Sequence, residues 1–144
     1  MNSRIVNKSS FFGLNENIAA GIVAGITVIL TFVPYVSYFA WIVPLIWVIF
    51  ERGSYFVRLC AGESAVLSAL ITVFTLLFEL IEKMVTDESS IPFMLSLCGI
   101  VTSIVRVVCM IALVLTAYNG YFMRDINLPV ITPMLKKIIK DEAR

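Results

Sequence analysis

Two charged side chains stand where the sequence around them is apolar. Glu63 falls in FVRLCAGES (56–64), and Arg106 has seventeen uncharged residues on either side. A carboxylate or guanidinium in such surroundings must be neutralised, hydrated or paired. The simplest arrangement pairs the two with each other, and Glu79 is the alternative partner for Arg106. Such a pair would fix the register of two helices or, in a conducting path, form a polar constriction. Removing one partner would then harm more than removing both, because a lone buried charge remains.

Little else in the chain points to chemistry. There is no histidine, so no imidazole base, no His-based triad and no haem or zinc site of the usual kinds is available. RLCAGES (58–64) has neither the lysine nor the spacing of a phosphate-binding loop. Cys60, Cys98 and Cys109 are odd in number and lie in or beside apolar runs, which argues against an oxidised scaffold. Cys98 and Cys109 would stand ~16 Å apart along a helix, too far to share a metal, and read as small apolar fillers. The hydroxyls between residues 64 and 72 have no base near them in sequence and suit bonds to carbonyls one turn back. With 11 basic and 10 acidic residues, net +1, no charge excess suggests nucleic acid. The expectation is a non-enzyme without cofactor or metal.

The elements that must position Glu63 and Arg106 follow from the apolar pattern. Sixty per cent hydrophobic residues and a mean hydropathy of +0.96 over 144 residues describe a single integral membrane domain, 1–144. Residues 17–50 carry no charge, yet at 34 residues the run is too long for one crossing of a ~30 Å hydrocarbon core. It must turn, and FVPYVSY (32–38) is the place. Pro34 disfavours helix at Val33, and Tyr35, Tyr38 and Trp41 suit an interfacial belt. The fold expected is all-α, a bundle of about four transmembrane helices near 16–33, 36–50, 55–80 and 91–120. The first two form a tight hairpin, either spanning or dipping in at a tilt without two full spans, and Pro44 is able to kink the second.

ERGSY (51–55) reads as a charged turn with Gly53 able to adopt a left-handed conformation, followed by Tyr55 and Phe56 at the interface and Arg58 snorkelling to lipid phosphates. ELIEKMVTDESS (79–90) is a solvated loop. In the tail, Thr132 is placed to cap and Pro133 to open a short amphipathic helix (132–144). There Met134, Leu135, Ile138 and Ile139 share a face, and Lys136, Lys137 and Lys140 suit an anionic membrane surface, with packing on a partner protein as the alternative.

Nine basic residues (Arg4, Lys8, Arg52, Arg58, Arg124, Lys136, Lys137, Lys140 and Arg144) collect on one side of this topology and Lys83 alone on the other, so both termini are expected in the cytoplasm of a bacterial cell. The first apolar run has no small-residue cleavage site and reads as a retained signal anchor. Gly21 and Gly25, with GxxxG spacing, and Ala61, Ala65 and Ala69 form small-residue ridges for close helix packing between helices 1 and 3, or else at a dimer or partner interface.

Three stretches together, LNENIAAGIVAG (14–25), ERGSYFVRLCAGESAVL (51–67) and AYNGYFMRDINLPVITPMLKKI (117–138), resemble small bacterial membrane proteins of unknown function. These are similar to the twenty-kilodalton component of the chloroplast inner-envelope import machinery, the Tic-twenty-like family. Phe56, Val57, Arg58, Ala61 and Ser64 match its turn motif, while Cys60 stands where histidine is usual and Glu63 where glutamine is usual. The resemblance implies a bundle of about four helices with a cytoplasmic Phe-Val-Arg turn and, by analogy, involvement in protein translocation.

The reading that follows is a non-enzymatic accessory or scaffold subunit of a larger membrane complex, in contact with lipids and with another membrane subunit or a second copy. The alternative is a pore or translocation component lined by Glu63, Arg106, Thr102, Ser103, Ser68 and Thr72. An intramembrane enzyme is the least favoured class. If α-helix 3 starts near Ser54 and helix 4 ends near Asn119, Glu63 sits ~13 Å deep and Arg106 ~20 Å deep, an offset an arginine can cover.

Overall fold

The computed structural model describes residues 13–85, 92–122 and 130–142. The chain is all-helical, with five α-helices and no β-strand among these residues. In order they are α1 (Glu16–Phe32), a single 3₁₀ turn (Val36–Phe39), α2 (Ile42–Phe50), α3 (Tyr55–Val85), α4 (Pro92–Tyr121) and α5 (Ile131–Glu142). Two of them, α3 with 31 residues and α4 with 30, are long and apolar enough to cross a membrane. Arg4, Lys8, Arg124 and Arg144, like the side chain of Lys140, lie outside the described residues.

Pro34 acts as its chemistry requires. Helix α1 stops at Phe32, and Val33 is extended at φ −81°, ψ 121°, the region favoured before proline. The tip then turns tightly through Tyr35, held at φ 64°, where the Val36 N–H donates to Pro34 O at 2.8 Å. This is a γ-turn of the rarer positive-φ kind, strained for a bulky residue. The apolar run 36–50 is consequently divided into the 3₁₀ turn and a nine-residue α2. Because α2 begins at Ile42, Pro44 falls in its first turn, where a missing N–H costs no helical bond and no kink is needed.

The connection to α3 is organised by a carboxylate. Glu51 Oε1 accepts from the N–H groups of Gly53 (2.9 Å) and Ser54 (3.3 Å), and Ser54 Oγ accepts from the Val57 N–H at 3.3 Å as an N-cap. With Glu51 holding both amides, Gly53 does not need a left-handed conformation. Among the described glycines, positive φ occurs at Gly13.

Helix α3 is the axis of the bundle. α1, α2, α4 and α5 all pack against it, and Leu59, Cys60, Ala61, Gly62, Glu63, Ser64 and Ala65 are buried without a break. Small side chains make this possible, since Ala19, Ala20 and Ala24 on α1 and Ala61 on α3 let the backbones approach. Trp47 from α2 and Val23 and Val57 fill the space between. A second cluster higher up joins Leu67 and Ile71 to Cys109 and Leu113 of α4. Above it, α3 and α4 continue as a pair whose outward side chains, among them Leu76, Leu77, Leu80, Phe93 and Val101, are at least half exposed.

Candidate functional site

Small residues set the base of the bundle and therefore the depth of every polar group. Gly120 of α4 faces the Cys60 thiol and Ala20 so closely that a Cβ there would lie 3.0 Å from Sγ and 3.3 Å from the alanine Cβ. The thiol itself lies 3.7 Å from Ala20 O and 3.9 Å from Thr116 O, positioned to donate to either carbonyl. A Cβ at Gly21 would meet the Tyr121 side chain at 3.3 Å, whereas one at Gly25 would enter open space. The GxxxG spacing thus marks one contact, and it is with α4. Ala61 and Ala65 are buried and Ala69 is half-buried beside an open groove.

Glu63 lies under α5. Its side chain has no exposed surface, and Oε1 accepts a hydrogen bond from the Thr132 hydroxyl. Oε2 is enclosed without a hydrogen-bond partner. Lys136, one turn along α5 from Thr132, is within electrostatic reach of the carboxylate. Beside this contact Leu135 covers Gly62, where a Cβ would meet the leucine methyls at 3.2 and 3.3 Å. Ile139 is 2% exposed and Ile131 packs on the upper cluster. The tail helix is therefore seated on α3 of its own chain, with Lys136 and Lys137 exposed. Thr132 is not the expected cap: α5 starts one residue earlier, at Ile131, and the hydroxyl bonds Glu63 instead. Pro133 is accommodated in the first turn.

The structure does not bring Arg106 and Glu63 together, and the reason is stagger. α3 begins ~8 Å below the level at which Gly120 meets Cys60, so Glu63 rises only ~5 Å above that level while Arg106 stands ~21 Å above it. Arg106 is exposed and shares a groove of about 340 Å³ with Thr31, Phe32, Met110 and Ile111, at the C-terminal end of α1. α1 has no basic residue in its own last turn, so a guanidinium supplied by α4 meets the negative end of that helix dipole.

Arg106 also faces the hairpin tip. The Tyr38 hydroxyl donates to Glu79 Oε1, and Arg106 lies within electrostatic reach of that phenol. Within the tip Trp41 Nε1 donates to Tyr38 O at 2.9 Å, and the Thr72 hydroxyl, which also faces Ser68 O at 3.1 Å, reaches Ser37 O at 3.3 Å. Between tip and α3 lies an apolar groove of about 860 Å³ lined by Tyr35, Phe39, Trp41, Val73 and Leu76, with Glu79 in its wall.

The other polar groups of α3 and α4 are occupied locally. Ser64, Ser68, Thr72 and Thr116 hydroxyls donate to the carbonyls of Cys60, Ser64, Ser68 and Ala112, at 2.7–3.1 Å. Ser103 is exposed and Thr102 half-buried on α4. Of the turn motif, Val57, Ala61 and Ser64 are buried and Phe56 and Arg58 half-buried, all packing or anchoring α3. Gly62 escaped the sequence reading because it has no small partner at four-residue spacing on its own helix; Gly120 does have one, Thr116, and that spacing was the signal that could have found it.

No family model, curated protein or solved structure matches this chain.

Proposed function

We propose that this chain is a multi-pass integral protein of the cytoplasmic membrane, with both termini on the cytoplasmic side, that serves as a small non-enzymatic scaffold or accessory subunit. The observation that carries the reading is the contrast between the two ends of α3 and α4. At the base they are wrapped by three other helices. Toward the other end they stand as a bare pair, with Leu77, Leu80, Ile100 and Val101 facing outward. A pair of packed helices, joined by Phe78 over Gly99, presents a stiff apolar rail. Such a surface lets a neighbouring transmembrane helix pack by shape.

The reading assigns no catalytic group, in keeping with hydroxyls that bond their own helix carbonyls. The import-related alternative rests on the resemblance of the turn motif. A photoreactive amino acid at Leu77 or Val101, in cells, tests the proposal. A discrete adduct with a different membrane protein, recovered in constant ratio on purification in mild detergent, is the expected result. Adducts with lipid alone would sink the scaffold role, and homo-oligomers that conduct ions in planar bilayers would favour a pore.

A further inference from the structure

Depth can be measured from the base of the bundle, where Cys60, Ala20 and Gly120 meet at one level and α5 rests on Gly62 just above. At ~1.5 Å per residue, the end of α1 lies ~18 Å up, Arg106 ~21 Å and Glu79 ~28 Å. With α5 at the near surface, a ~30 Å hydrocarbon layer ends close to Glu82 and Lys83. α3 and α4 then cross it completely. The α1–α2 hairpin does not: it turns over in the far leaflet, and both of its ends return to the near side.

This placement leaves two exposed features at a depth where water is scarce. The first is the irregular backbone of the tip, with Phe32, Tyr35 and Phe39 exposed by 70%, 84% and 64%. Non-helical backbone within the hydrocarbon layer persists where protein covers it or water reaches it. The second is the Arg106 guanidinium, which the dipole of α1 compensates only in part. The same region carries its own complement, since Glu79 lies across Tyr38 from Arg106. A carboxylate that accepts one phenol hydrogen bond retains capacity for another donor. A patch with one base and one acid is self-complementary under a two-fold axis, which forms both cross-pairs at once.

Resting on the membrane-embedded reading above, we infer that the hairpin tip and the Arg106 flank of α4 form the interface with a second copy of this chain, Arg106 of each copy pairing with Glu79 of the other. The test uses the full chain in its membrane and exchanges the charges between copies. R106E and E79R, each expressed alone, should lose the dimer at least tenfold in cross-linking yield. The two co-expressed with different tags should recover it as a mixed pair, because only unlike copies then present opposite charges at both contacts. Independently, a photoreactive residue at Tyr35 in the otherwise unaltered chain should give a covalent dimer, and one at Ile22 should not. This arm decides the matter if the charge variants fail to fold. No Tyr35 dimer, or no recovery in the mixture of folded variants, overturns the inference. Release of the protein by alkaline carbonate would overturn the membrane-embedded reading as well, whereas retention without dimer removes the interface alone.

Discussion

Gly120 of α4 meets Cys60 of α3 with no room for a side chain between them, the missing Cβ standing 3.0 Å from the sulfur. Ala20 of α1 closes the same contact from the third side at 3.3 Å. Three helices are thus locked at one level by the absence of atoms, and every other polar group takes its depth from this point.

Adding a methyl there should therefore cost stability. Gly120→Ala must displace a wholly buried thiol and the α1 backbone, and overpacking of this kind costs about 1–3 kcal/mol. Thermal unfolding in mild detergent should show a midpoint several degrees lower. Gly25→Ala is the contrasting case. Its Cβ would enter open space, and removing a glycine from a helix interior should stabilise by about 0.5–1 kcal/mol. Equal losses at both positions would contradict the packing described.

The seat of α5 makes a second prediction. Thr132→Val removes the hydrogen bond to the buried Glu63 side chain and leaves that polar group unsatisfied, a cost of about 1–3 kcal/mol, and should raise hydrogen exchange throughout α5 by tenfold or more. Thr132→Ser keeps the hydroxyl and should keep the protection. If Thr132→Val leaves exchange unchanged, the helix is held by Leu135 and Ile139 alone.

Charge coupling provides a third. Arg106 and Glu63 lie ~17 Å apart in height, so Arg106→Leu and Glu63→Leu should add within about 0.5 kcal/mol in folded stability. Tyr38→Phe and Glu79→Gln share one hydrogen bond and should not add. A rescue of Arg106→Leu by Glu63→Leu would restore the pairing that the register forbids.

Strain at the hairpin tip yields the last. Tyr35 holds a positive φ of 64° with ψ −40°, a sparsely populated region that costs a non-glycine residue about 1–3 kcal/mol. Tyr35→Gly should raise the unfolding midpoint of detergent-dispersed monomer while removing an exposed aromatic from the proposed interface. A lower midpoint would mean that the ring contributes more by packing than the backbone loses.

What could be read from the chain alone was local. Pro34 ends a helix wherever it is placed, because its ring excludes the helical conformation at Val33 and its nitrogen carries no proton. Apolar runs of 30 residues become long helices, and the Met134, Leu135, Ile138, Ile139 spacing makes α5 two-faced. The tertiary structure decided how these pieces align. The stagger of α3 against α4 depends on Gly120, Cys60 and Ala20, which lie 40 and 60 residues apart in sequence and signal their complementarity only when they touch. A shift of seven residues in that register, ~10 Å, separates Arg106 from Glu63 and leaves Glu63 opposite Thr132. The partner of a buried charge is thus set by which small residues allow two helices to meet, a property of surfaces in contact and of no single stretch of sequence.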